Sequence, residues 1–193
     1  MDKDLLLTSL IDRGWFACDM FLDQATSDNL IAEMQLLPLQ VAKIGKGNAT
    51  HQSLEIRNDS IFWLNEQQGP AQDLYLKKVF ELMQFLNQSL YLGLKQFEGH
   101  FARYDKNGFY KKHLDQFAGS NERLVSLVTY LNTPVSGGEL RIFNRKNPEI
   151  IEIDITPKVG SLVCFLSNQI YHEVRPTDSE RYSIAGWFRT TIL

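Results

Sequence analysis

His113, Leu114 and Asp115 set an imidazole and a carboxylate two positions apart, and a second imidazole, His172, follows in a separate apolar run. Alternate side chains of an extended strand share a face, so His113 and Asp115 can reach one ion while Leu114 turns into the opposite layer. Two imidazoles and one carboxylate on one triangular face are the donor set of a mononuclear non-haem Fe(II) centre, with three coordination positions left open. Beyond the turn-like Pro176-Thr177-Asp178-Ser179, Arg181 opens another apolar run and offers a planar fork that matches a carboxylate; Trp187 follows it. A His-x-Asp triplet alone is commonplace beside any surface acid. Its combination with His172, Arg181 and Trp187 is what points to chemistry.

The elements that must position these groups divide near residue 95. Before it the chain reads mainly as helix: Asp4 to Ile11, Ala25 to Leu37 ended by Pro38, and Gln72 to Leu92, whose Leu74, Tyr75, Val79, Leu82, Met83, Leu86 and Leu90 form one stripe for packing on a sheet. Trp15 to Phe21 has strand character. From Phe97 onward eight short apolar runs alternate with turn signals: Phe97–Tyr104, Phe109–Leu114, Leu124–Asn132, Glu139–Phe143, Ile150–Ile155, Ser161–Leu166, Ile170–Val174 and Tyr182–Phe188. This spacing predicts an α+β, mainly β fold, a jelly roll with N-terminal helices packed on one sheet. Residues 1–193 form one domain in this reading, with 1–95 as helical support and substrate lid and 96–193 as the catalytic roll.

Counting by twos tests whether the site closes. Arg181 shares a face with Ser183, Ala185 and Trp187, and His172 with Val174; Leu127, Thr129 and Leu131 form one face of their run, and Leu140 and Ile142 one face of theirs. Placed inside the roll, these faces make a largely apolar pocket with a few polar groups, suited to a small dicarboxylate. The Gly45 and Gly47 loop has the wrong spacing for a phosphate cradle and reads as a mobile loop.

With 193 residues and 44% apolar content, the chain can bury a sizeable core, and a net charge of −3 argues against a nucleic-acid partner. No apolar run approaches the ~20 residues of a membrane span, and the first residues lack the pattern of a secretory signal. Cys18 and Cys164 lie in apolar runs and read as buried free thiols. A cytoplasmic, reducing setting is the expectation.

Taken together, the stretches Tyr104-Asp105-Lys106-Asn107-Gly108-Phe109-Tyr110 running into His113-Leu114-Asp115, Tyr130-Leu131-Asn132 with Ser136-Gly137-Gly138-Glu139-Leu140, and His172-Glu173-Val174-Arg175-Pro176 with Arg181 to Trp187 resemble the Fe(II)- and 2-oxoglutarate-dependent oxygenases. That resemblance implies a double-stranded β-helix, a cupin-like jelly roll, and within the family the chain is most similar to prolyl hydroxylases of the hypoxia-sensing type and their bacterial relatives. The resemblance implies that His113, Asp115 and His172 hold Fe(II), that Arg181 pairs with the far carboxylate of 2-oxoglutarate, and that Tyr104, Trp187, Leu140 and Val174 wall the cosubstrate. It places Thr129 where close relatives carry a tyrosine that helps the arginine. Tyr110, Arg57 and Asp59, the last two in a loop-and-strand segment with Trp63, fall on the substrate side. Simple alternation sets Tyr110 opposite His113, a conflict that a bulge would remove.

The activity so implied consumes O2 and 2-oxoglutarate, with ascorbate as an auxiliary reductant, releases succinate and CO2, and hydroxylates a prolyl residue of a protein such as elongation factor Tu. The rival readings are a hydroxylase of a free amino acid or other small metabolite, and a β-barrel binding module whose histidines are structural.

Overall fold

The computed structural model describes residues 1–43, 53–66, 68–116 and 122–192. Asp2 caps α1 (Lys3–Asp12) by accepting the Leu5 N–H at 3.0 Å, and Asp23 caps α2 (Gln24–Gln35) by accepting the Thr26 N–H at 2.7 Å. Each satisfies a first-turn donor that a helix cannot pair internally. The long helix α3 (Pro70–Leu90) has no capping side chain at Gly69 and is closed from outside. Glu33 of α2 accepts the Ala71 and Gln72 N–H groups at 2.7 and 3.1 Å, so one acid fixes where α3 begins and ties it to α2.

The strands are β1 (Trp15–Cys18), β2 (Gln40–Val41), β3 (Ser60–Trp63), β4 (Gln96–Tyr104), β5 (Tyr110–His113), β6 (Arg123–Tyr130), β7 (Leu140–Phe143), β8 (Ile151–Ile155), β9 (Leu162–Leu166), β10 (His172–Val174) and β11 (Arg181–Arg189). They form two antiparallel sheets among the described residues, one in the order β1-β9-β6-β11-β4-β3-β2 and one in the order β5-β10-β7-β8. All eight runs expected beyond residue 96 are strands, and the layering is that of a jelly roll. The first 95 residues contribute more than helices: β1 pairs with β9 at one end of the large sheet, while β3 pairs with β4 near the other.

Alternation along the strands sorts the core into two layers. On the outer face Leu127, Ile184 and Phe188 pack with Tyr75, Val79, Leu82 and Leu86 of α3, the stripe that the helical spacing predicted except for Leu74, which is 63% exposed and points away from the sheet. Between the sheets Tyr104, Val128, Tyr130 and Phe165 face Leu140, Ile142 and Val174. A helix-backed large sheet thus presents its inner face to a smaller sheet, and a cavity opens between them. Among the described residues no helix is long and apolar enough to cross a membrane, and Cys18 and Cys164 are unpaired thiols.

Candidate active site

His172 on β10 and His113 on β5 are cross-strand partners in the small sheet. Their ring centroids lie 4.2 Å apart. The strand ends at His113, so Asp115 reaches the same point from a bend and not from an extended strand as expected. Leu114 accordingly lines the cavity instead of turning into the opposite layer. That bend is tied down by Gln116, whose N–H donates to the Ser167 carbonyl at 3.3 Å and whose side-chain amide donates to the Arg123 carbonyl at 2.9 Å.

One Asp115 carboxylate oxygen lies 3.4 Å from His113 Nε2 and 3.6 Å from His172 Nε2, and one ligand atom from each residue falls within 4.8 Å of the other two. Both imidazoles donate Nδ1–H to backbone carbonyls, His113 to Lys111 at 2.7 Å and His172 to Ile170 at 3.1 Å. With Nδ1 so engaged, the Nε2 lone pairs are aimed at the common point, which is the arrangement a metal-binding histidine needs. Burial works against the charge on Asp115, but His172, His113 and the Ser126 hydroxyl outweigh it and hold the carboxyl well below the usual carboxylate range. Burial, reinforced by His113, lowers His172 to about 4. A fixed anion beside an uncharged imidazole fits a divalent cation.

Tyr110 lies beside the triad, its ring stacked on His113 at 3.6 Å. The required bulge is present: Tyr110 to His113 spans four residues of β5 against three of β10, His172 to Val174. Arg57, expected at the substrate, lies over the Tyr110 ring at 4.4 Å and lines the cavity. Asp59 is fully buried and binds Arg57 through two hydrogen bonds, of 2.7 and 2.5 Å; it orients the guanidinium and is not among the cavity-lining residues.

Arg181 is 1% exposed and, among the described residues, meets no carboxylate. Its Nε donates to the Gly138 carbonyl at 3.0 Å and its Nη1 to Ser183 Oγ at 3.1 Å, leaving the fork flanked by the rings of Tyr104 at 5.0 Å and Tyr130 at 4.8 Å. Gly138 has φ +71°, and a Cβ there would lie 2.9 Å from Arg181 Cδ, so the close approach needs glycine. The Tyr130 hydroxyl is buried with no hydrogen-bond partner. A buried cation without an anion, beside an orphaned hydroxyl, is a site built for a carboxylate brought by a ligand.

Thr129 is corrected here. It faces the outer layer, where its hydroxyl meets Tyr75 of α3 at 3.1 Å, and it is fully buried away from the cavity. β6 pairs with β11 so that Tyr130 stands opposite Ser183 and Val128 opposite Ala185. Tyr130 is therefore the tyrosine beside Arg181, and the supposed departure at Thr129 was a phase error of one residue. Leu140, Val174, Tyr104 and Trp187 all line the cavity, whose volume is about 670 Å³.

Residues 99–189 match the sequence profile of the 2OG-Fe(II) oxygenase superfamily. A prolyl-4-hydroxylase of Pseudomonas putida is 36% identical, with a TM-score of 0.87 over 99% of this chain and 100% of that one. The chain belongs to the 2OG-Fe(II) oxygenases. It is also 25% identical over 202 aligned positions to the hypoxia-inducible factor prolyl hydroxylase of Caenorhabditis elegans, covering 95% of this chain but only 27% of that protein. A Trichoplax adhaerens prolyl hydroxylase, crystallised with a hypoxia-inducible factor peptide fragment, shares the fold with a TM-score of 0.83 at 22% identity, over 97% of this chain and 89% of that one.

Oxygenases of this superfamily use Fe(II), 2-oxoglutarate and O2, and this one carries a donor set and an anion clamp that fit them. One cavity residue of this oxygenase that no motif singles out is His100. Counting back by twos from Tyr104 through Ala102 reaches it. The expected lid from Val41 to Asp59 lies partly outside the described residues; of it, Lys43, Ile56 and Arg57 line the cavity.

Proposed function

We propose that this oxygenase hydroxylates a prolyl residue within a protein or peptide. The observation that carries the proposal is the convergence of His113, Asp115 and His172 in the same cavity as a buried, anion-free Arg181. When bound, Fe(II) with 2-oxoglutarate and O2 supplies the oxidising power for C–H hydroxylation, and the cosubstrate leaves as succinate and CO2.

The chain's own residues hold and orient. His113, Asp115 and His172 are the ligands for the ion, and the Ser126 hydroxyl supports the carboxylate. Arg181 and Tyr130 bind the far carboxylate of the cosubstrate; Tyr104, Val128, Leu140 and Val174 surround that end and exclude water. Arg57, aligned by Asp59, and Tyr110 position the substrate, and Trp63 and Trp187 give it an aromatic wall suited to a five-membered ring.

A protein substrate is supported by the similarity to prolyl hydroxylases, one of them crystallised with a peptide fragment, and by a cavity that runs from the triad to Trp63, Glu98 and Arg189. In this proposal residues 1–193 act as one domain, in the cytoplasm, on a translation factor such as elongation factor Tu. The test is incubation of purified elongation factor Tu, and separately of cell extract, with the protein, Fe(II), ascorbate and 2-oxoglutarate. Peptide mass spectrometry should find a proline heavier by one oxygen atom, absent with His113→Ala. Turnover of a free amino acid without any modified peptide would defeat the proposal.

A further inference from the structure

Along β4 the side chains of Tyr104, Ala102, His100 and Glu98 face the cavity in succession. The His100 ring is 3% exposed, and its Nδ1 lies 3.1 Å from the Phe101 carbonyl. A carbonyl oxygen only accepts, so Nδ1 carries the proton and Nε2 presents a lone pair. Among the described residues nothing donates to it. Burial, and then the Arg57 cation, lower this imidazole to about 4, so it is uncharged near neutral pH.

On the neighbouring strand, β11, the Trp187 indole N–H is buried and meets no acceptor among the described residues. The His100 and Trp187 rings are 5.6 Å apart, and Trp63 closes the other side of His100 edge-on at 5.1 Å. One acceptor and one donor, both unpartnered, thus lie side by side in an aromatic setting on a cavity wall. The buried indole N–H left unpaired is costly, and with the free His100 acceptor beside it on the cavity wall it suits a ligand group that satisfies both.

We propose that His100 and Trp187 read a neutral amide of the substrate, His100 Nε2 accepting from its N–H and the Trp187 indole donating to its carbonyl oxygen. The proposal rests on the prolyl reading and narrows it. The pair selects a target flanked by a peptide bond over a free amino acid, because a carboxylate brings His100 no donor and sets like lone pairs against each other.

The test uses protein loaded with Zn(II) and 2-oxoglutarate and two probes, N-acetylproline N-methylamide and N-acetylproline methyl ester. The ester lacks the N–H and has a weaker acceptor. Three tryptophans give three indole N–H signals, and Trp187→Phe identifies the one that reports. The amide should bind about tenfold more tightly than the ester, the difference expected for about one hydrogen bond, and should move the Trp187 signal saturably downfield. His100→Leu should erase the preference, and His100→Gln, which keeps an acceptor, should retain part of it.

Equal binding of amide and ester, no saturable binding of either, or a preference that survives in His100→Leu overturns the pair. The same comparison with N-acetylglycine probes isolates the prolyl reading. If the glycine amide binds as well as the proline amide while the ester penalty persists, the pair stands and the selection for proline falls.

Discussion

Tyr130 and Thr129 are adjacent in sequence and opposite in consequence. The Tyr130 hydroxyl is buried without a partner beside Arg181, so its value appears only when a carboxylate arrives. Tyr130→Phe is expected to leave the ligand-free protein as stable or slightly more so, yet to raise the KM for 2-oxoglutarate by about tenfold or more, the loss of one charge-assisted hydrogen bond. Succinate release and thermal unfolding with and without cosubstrate measure both. Thr129→Val should do the reverse, costing about 1 kcal/mol through the lost Tyr75 contact with no change in that KM. A third residue acts on the metal alone. Ser126, hydrogen-bonded to Ser167 at 2.8 Å and supporting Asp115, should on Ser126→Ala lower Mn(II) affinity about tenfold or more by calorimetry. The Thr129 misreading has a physical source: the run from Val125 to Leu131 is buried on both faces, so no polar–apolar alternation fixes its phase.

Among the elements, what repeats was legible and what bends was not. The stripe on α3 and the eight strands of the roll follow from periods of 3.6 and 2 sustained over several residues. β2 and β3 are two and four residues long and present no such period. The bend that delivers Asp115 and the bulge that turns Tyr110 toward His113 are single-residue events set by tertiary pairing; a triplet of residue types cannot disclose them. The external cap of α3 belongs here too, because Glu33 is far in sequence from Ala71 and Gln72. Glu33→Ala should cost about 1 kcal/mol and lower the unfolding midpoint by a few degrees, while leaving the circular dichroism of the folded state unchanged.

For the molecule as a whole, His100 makes stability depend on pH. Its folded value of about 4 lies below the 6.5 of an unperturbed imidazole. Below pH 6.5 the unfolded chain takes up a proton that the folded one refuses. The stability contribution is therefore complete above about 6.5 and declines as pH falls toward about 4, by about 3 kcal/mol at most. Denaturant unfolding across that window should show the slope, and His100→Leu should reduce it to the part contributed by His172, which burial likewise lowers to about 4.

The two halves of the site are mounted on different layers: the histidines on the small sheet, Arg181 on the large one. A divalent ion alone staples the edge of one layer, and a dicarboxylate alone grips the other. Only when both are bound does a continuous brace span the gap, so their joint effect on the melting temperature should exceed the sum of the two taken singly, and amides of β5 and β10 should exchange most slowly in that doubly loaded state.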